Sequence, residues 1–194
     1  MNTVTPSLPG DAAGHAAVTP TVVLVGLPGS GKSTVGRQLA RRLGVAFVDS
    51  DHVIEERLGC SIREYFEREG EQAFRDLEQA VLAELVQRPG IVLSTGGGSV
   101  LRPANRQVLK AHGWVVYLKS SPQELFKRLR HDKARPLLQG VDPLQKLKDL
   151  YQVRDPLYRE VAHHSVETGR PSVNTLVNHI AMQLELRALQ APHC

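Results

Sequence analysis

Little in this chain marks it for a membrane, a disulfide scaffold or nucleic acid. Among 194 residues there are two cysteines, Cys60 and Cys194, far apart and without zinc-ligand spacing. No disulfide framework is therefore expected, and a reducing, cytoplasmic setting suits the chain. Its longest apolar runs are strand-length and fall well short of the roughly 20 residues that cross a bilayer. Aromatic residues make up 5% and no Lys/Arg tract forms a binding arm, although the net charge is +4. Small anionic ligands account for that excess without nucleic acid. No Lys or Arg precedes Lys32, so neither the basic start of a secretory signal nor an Arg-rich transit segment is evident.

What is present fits one domain large enough to bury its own core. Residues 1–20 are rich in Ala, Thr, Pro and Gly and poor in large apolar side chains, which predicts a flexible tail that cannot offset its ordering entropy. The domain is expected over 21–189, with a short tail at 190–194. Apolar runs at 22–25, 46–48, 91–93, 114–118 and a weaker one at 165–167 alternate with helical patterns. Near-continuous apolar strands separated by helices imply an α/β fold with a parallel sheet covered on both faces. Val35, Leu39 and Leu43 mark one helix, and Phe74, Leu77, Val81 and Leu85 another after Gly70. Ser61 with Glu64 reads as a capping box, and Ser121 before Pro122 as a second helix start. Between Arg130 and Pro143 periodicity is lost, which suits a mobile flap or an ordinary surface loop.

The strongest motif follows the first strand. In GLPGSGKS, Gly26, Gly31, Lys32 and Ser33 fill the Walker A pattern between a strand and a helix. Glycines let the backbone wrap a phosphate with its N–H groups inward, and the helix start adds the positive end of its dipole. Lys32 supplies a charge for the β and γ phosphates, and Ser33 a hydroxyl for Mg²⁺. A switch GTPase is disfavoured because none of Asn2, Asn105, Asn174 and Asn178 is followed by Lys, as guanine recognition would need.

Groups for an acceptor are scattered. Asp49 and Asp51 end the second strand, where alternation on an extended chain would point both carboxylates to one side; a helix N-cap is the alternative. Arg75 and Glu78 stand three apart on one helical face, as a carboxylate-binding guanidinium with its holder or as an exposed ion pair. Gly96, Gly97 and Gly98 follow the third strand, as a close approach to a ligand or a plain turn. Arg135, in the candidate flap, and Arg154 are each either ligand groups or solvated surface charges. His163 and His164 lack partners at ligand spacing and read as structural.

In order and spacing, GLPGSGKST, Asp49-x-Asp51, GEQAFRDLE from Gly70, GGG from Gly96, RPLL from Arg135 and Arg154-x-x-Leu157-Tyr158 resemble the shikimate kinase family across about residues 21 to 185. The resemblance implies a three-layer P-loop fold of the nucleoside monophosphate kinase type, with a five-stranded parallel sheet and a lid at about 131–142. It implies transfer of the ATP γ-phosphoryl group to shikimate, a step toward chorismate and the aromatic amino acids, by a cytoplasmic monomer. Gly29, Ser30, Gly31, Lys32, Ser33 and Thr34 would cradle the phosphates, Arg128 and Arg170 would meet adenine, and Arg135 would close onto the phosphates. Asp51, Arg75, Gly96, Gly97, Gly98 and Arg154 would hold shikimate, and Ser33 and Asp49 would hold Mg²⁺. A gluconate kinase and a nucleotide-binding regulator without catalysis are the rival readings; the GGG turn with Arg75 and Arg154 disfavours the first, and the complete residue set the second.

Overall fold

The structure, a computed structural model, describes residues 20–129 and 142–190. All but the last residue of the expected tail, the lid segment with Arg135 up to Asp142, and the end of the chain with Cys194 lie outside the described residues.

The five apolar runs form β1 (Val22–Val25), β2 (Ala46–Asp49), β3 (Ile91–Ser94), β4 (Trp114–Lys119) and β5 (His164–Glu167). They pair in parallel in the order β2-β3-β1-β4-β5. The helices are α1 (Lys32–Leu43), α2 (Ser50–Leu58), α3 (Ile62–Leu85), α4 (Pro103–His112), α5 (Pro122–Leu129), α6 (Pro143–Val161) and α7 (Val173–Gln190). Side-chain alternation splits the core into two layers. Val22 and Leu24 of β1, with Trp114, Val116 and Leu118 of β4, pack under α1 and α7. Val23 and Val25, with Val115 and Tyr117, pack under α3, α4 and α6. Because β1 is buried on both faces, it reads as an unbroken apolar run.

Helix boundaries follow local chemistry. Ser61 Oγ accepts the Glu64 N–H while the Glu64 carboxylate accepts the Ser61 N–H at 2.8 Å. Ser121 and Glu124 make the same reciprocal pair at the start of α5. α3 is kinked at Gly70 (φ 84°, ψ 172°), and the segment after the kink turns Phe74, Glu78, Val81, Leu82 and Leu85 inward. That kink directs Arg75 and Glu78 toward the C-terminal edge of the sheet.

Two expectations change in form. Asp51 is not on an extended strand but in the first turn of α2, and Asp49 is the N-cap, its Oδ1 accepting the Asp51 N–H at 3.1 Å. His163 precedes β5; its Nδ1 accepts the Val115 N–H at 3.0 Å, while His164 Nε2 meets His179 Nε2 at 3.0 Å. The histidines serve strand and helix packing.

Candidate active site

In a parallel sheet, ligands bind beyond the carboxyl ends of the strands where the strand order reverses. Here β1 is that strand: the chain leaves it for β2, and its two neighbours, β3 and β4, come later in sequence. A cleft of about 610 Å³ opens there, within the range of small-molecule sites.

One end of the cleft is backbone. Gly31, at φ 94°, caps α1 with no side-chain hydrogen bond, and no acidic residue lies in the first turn. The first N–H groups of a helix lack intrahelical partners, and Gly29, Gly31, Lys32, Ser33 and Thr34 line the cleft at this point. The arrangement is an anion cradle. Lys32 is buried, its Nζ donating to the carbonyls of Gly26 at 2.8 Å and Leu27 at 3.1 Å. Ser30 of the same loop is buried, and among the described residues its hydroxyl has no hydrogen-bond partner. Ser33 Oγ donates to Asp49 Oδ2 at 3.0 Å, so a hydroxyl and a carboxylate oxygen sit together. This hard-oxygen pair suits Mg²⁺, which takes few protein ligands and completes its shell with water and phosphate oxygens. Among the described residues no group of three or more His, Cys, Asp or Glu forms an all-protein metal cage.

The other end is charge. Asp51, Arg75, Glu78, Gly96, Gly97, Gly98 and Arg154 line it, with Phe66 and Phe74. Arg75 Nη1 bonds Glu78 Oε2 at 2.7 Å, and Glu78 is 1% exposed. The ion pair that the sequence allowed to be an exposed one instead has Glu78 buried and Arg75 half-buried, because Glu78 falls on the core side of the helix beyond the Gly70 kink. Burial pushes the Glu78 carboxyl up, opposed by Arg75, Arg154 and Arg102. Burial, then Asp49 and Glu78, raise the Asp51 carboxyl to about 6, while Lys32 pulls it down. The glycine turn is tight against these groups. A Cβ at Gly96 would come within 2.7 Å of Asp51 Oδ1, and one at Gly98 within 2.6 Å of the Arg75 guanidinium.

Twelve of the expected site residues therefore share one cleft: Gly29, Gly31, Lys32, Ser33, Thr34, Asp49, Asp51, Arg75, Gly96, Gly97, Gly98 and Arg154. Arg128 is not among the described residues that line it; its guanidinium donates to the Thr168 carbonyl and to the hydroxyls of Thr168 and Ser120. Arg170 is exposed in the β5–α7 connection. Sequence reading assigned Glu78 only the role of Arg75's partner and gave Tyr158 none. Tyr158 is buried and its hydroxyl donates to the Gly97 carbonyl at 2.5 Å. Its place four residues after Arg154 is the one signal that pointed there.

A phosphate loop at the switch point of a five-stranded parallel sheet, with a charged acceptor cleft on the same edge, defines a P-loop kinase of small molecules. The shikimate kinase family model matches residues 28–185. Shikimate kinase of Paracidovorax citrulli is 58% identical over 175 residues, covering 89% of this chain and 96% of that protein. A solved shikimate kinase from Acinetobacter baumannii, in complex with shikimate, is 49% identical with a TM-score of 0.81, covering 87% of this chain and 94% of that one. The chain belongs to the shikimate kinase family. A gluconokinase from Sinorhizobium meliloti shares the fold alone, at 17% identity and a TM-score of 0.57 over 90% of this chain and 99% of that one.

Proposed function

We propose that this protein transfers the γ-phosphoryl group of ATP to shikimate, giving shikimate 3-phosphate and ADP on the route to chorismate and the aromatic amino acids. The observation that carries the reading is the single cleft in which a phosphate loop faces Asp51, Arg75 and Arg154. Membership of the family supports it. Shikimate carries a carboxylate for the two guanidinium groups and hydroxyls for Asp51.

In this reading, Gly29, Ser30, Gly31, Lys32, Ser33 and Thr34 bind the phosphates, and Arg75, Arg154 and the Gly96–Gly98 turn bind shikimate. Asp51 orients the 3-hydroxyl in line with the γ-phosphorus and takes its proton as the new P–O bond forms and the bond to the ADP oxygen breaks. Lys32 and the loop N–H groups stabilise the charge that develops on the phosphoryl oxygens. Ser33 and Asp49 would hold Mg²⁺, which neutralises phosphate charge when bound. Arg128 and Arg170 would border adenine, and Arg135 would reach the phosphates from the segment between α5 and α6. We further assign the protein to the cytoplasm as a monomer that engages neither nucleic acid nor membrane. Among the described residues no helix is long and apolar enough to cross a bilayer.

ADP release measured with shikimate, quinate and gluconate tests the reading. Release that depends on shikimate and on Mg²⁺ is expected; equal turnover with and without shikimate, or preference for gluconate, overturns it.

A further inference from the structure

The carbonyls of the glycine turn have separate holders. The Gly96 carbonyl accepts from the Ser99 N–H at 3.1 Å, and the Gly98 carbonyl from the Leu101 N–H at 3.1 Å. The Ser99 carbonyl accepts from Asn105 Nδ2 at 2.8 Å. These three bonds stay within the turn and the start of α4. The Gly97 carbonyl differs, because its donor is the Tyr158 hydroxyl, 61 positions away on α6.

α6 also carries Arg154, one helical turn before Tyr158 and therefore on the same face. Two further contacts fix that face. The Tyr158 ring stacks on Tyr117 with centroids 5.0 Å apart, and the Tyr117 hydroxyl donates to Asp155 Oδ1 at 2.8 Å. Asp155 also accepts from Arg159 Nε at 2.7 Å. Burial holds both phenols above the ordinary tyrosine range, with Asp155 adding to the effect at Tyr117 and Arg154 opposing it at Tyr158. Both hydroxyls thus keep their protons and remain donors. Arg106 of α4 pairs with Glu160 of α6 at 2.9 Å and donates to the carbonyls of Val100 at 2.8 Å and Leu101 at 3.3 Å, just after the turn, while Lys110 donates to the Glu160 carbonyl at 2.8 Å.

We propose that Tyr158 is a positioning residue for the acceptor site, its hydroxyl joining the Gly96–Gly98 turn to α6 and so setting the turn against the Arg154 guanidinium. The inference rests on reading this cleft as the shikimate site. Two elements far apart in sequence supply groups for one small substrate, and a shift of either spoils both contacts. The Arg106 bridge ties α6 to the segment after the turn, whereas the Tyr158 hydrogen bond reaches Gly97, a residue of the cleft lining, and holds the turn and Arg154 in register there. The ring alone would serve packing; the hydroxyl serves the site.

Tyr158→Phe keeps the ring and removes the bond. The expected result is a KM for shikimate raised about tenfold, as for one hydrogen bond of ordinary strength. The KM for ATP and kcat should stay within about twofold. In an Arg154→Ala background the same substitution should change the shikimate KM by less than about twofold, because its effect runs through Arg154. Tyr117→Phe, which loosens α6 from β4 but leaves the turn bonded, should move the shikimate KM less than Tyr158→Phe does. A Tyr158→Phe enzyme with wild-type KM for shikimate, or with both KM values raised alike, overturns the proposal whatever its Tm. Wild-type protein that shows no shikimate-dependent ADP release would instead remove the functional reading beneath it, so the two failures are distinct.

Discussion

The two ends of the cleft are built in opposite ways. The phosphate end comes from one continuous stretch between β1 and α1, and in the proposed reading most of its ligand groups are backbone N–H held by glycine conformations. The acceptor end draws on α2, α3, the turn after β3 and α6, and its groups are charged side chains. A backbone cradle needs only its own loop to fold correctly. A charged cleft must instead bury carboxylates, and the opposed effects of burial and arginine on Glu78 record that cost. Local damage should therefore dominate at the first end, and damage transmitted between elements at the second.

Lys32→Ala should break the phosphate end most severely. Losing a transition-state charge worth about 4 kcal/mol means roughly a thousandfold in kcat, with the fold retained, as steady-state kinetics beside a thermal melt would reveal. A variant of near wild-type activity would contradict the comparison outright. At the junction of the two ends, Asp51→Asn should lower kcat about a hundredfold with little change in the KM for ATP.

Asp51 also predicts a pH signature. In the proposed mechanism Asp51 must be ionised to take the hydroxyl proton, so kcat/KM for shikimate should fall on the acid side with an apparent pKa near 6 in the wild type. That limb should vanish in Asp51→Asn. For stability the sign is opposite. A carboxyl raised from 3.8 to about 6 on folding favours the folded state below pH 4 and loses that contribution as pH rises through 6, by up to about 3 kcal/mol. Ligand-free Asp51→Asn should thus gain Tm relative to wild type between pH 4 and 7; a constant difference would show that Asp51 is not so perturbed.

The smallest expected effects sharpen the acceptor end. Arg75→Ala and Arg154→Ala should each raise the KM for shikimate about tenfold to a hundredfold, from loss of a charge-assisted bond of about 1.5 to 3 kcal/mol. The KM for ATP should be unchanged. They should differ in melting: Arg75→Ala strands the buried Glu78 and should cost about 3 kcal/mol of stability, while Arg154→Ala should not. A rise in the ATP KM would move these arginines to the nucleotide side.

Legibility followed the same division. The strand runs, the Ser61–Glu64 and Ser121–Glu124 boxes and the phosphate loop depend on neighbours a few residues apart, and each forms where its residues predict. For Asp49 and Asp51 the fold chose between two readings the sequence allowed: Asp49 is the helix N-cap, and both residues line the cleft because a helix begins between them, not because a strand alternates. Arg75 and Glu78 were visible as a pair but not as a buried one, since a helical face has no inside until the Gly70 kink sets it against the sheet. Arg128 and Arg170 rested on resemblance alone, and geometry ties the former to Thr168.

Period, caps and the glycine-lysine-serine loop are short-range chemistry, so residue order alone was enough for the five strands, for α1, α3 and the start of α5, and for the phosphate loop. The acceptor end needed the folded chain. Tyr158 is 61 residues from Gly97, whose carbonyl it bonds, Arg154 lines the same cleft as the glycine turn, and nothing in either segment encodes the other. Their meeting comes from α6 packing against β4 and α4, a long-range contact whose closure entropy is offset by the whole buried core rather than by any local motif.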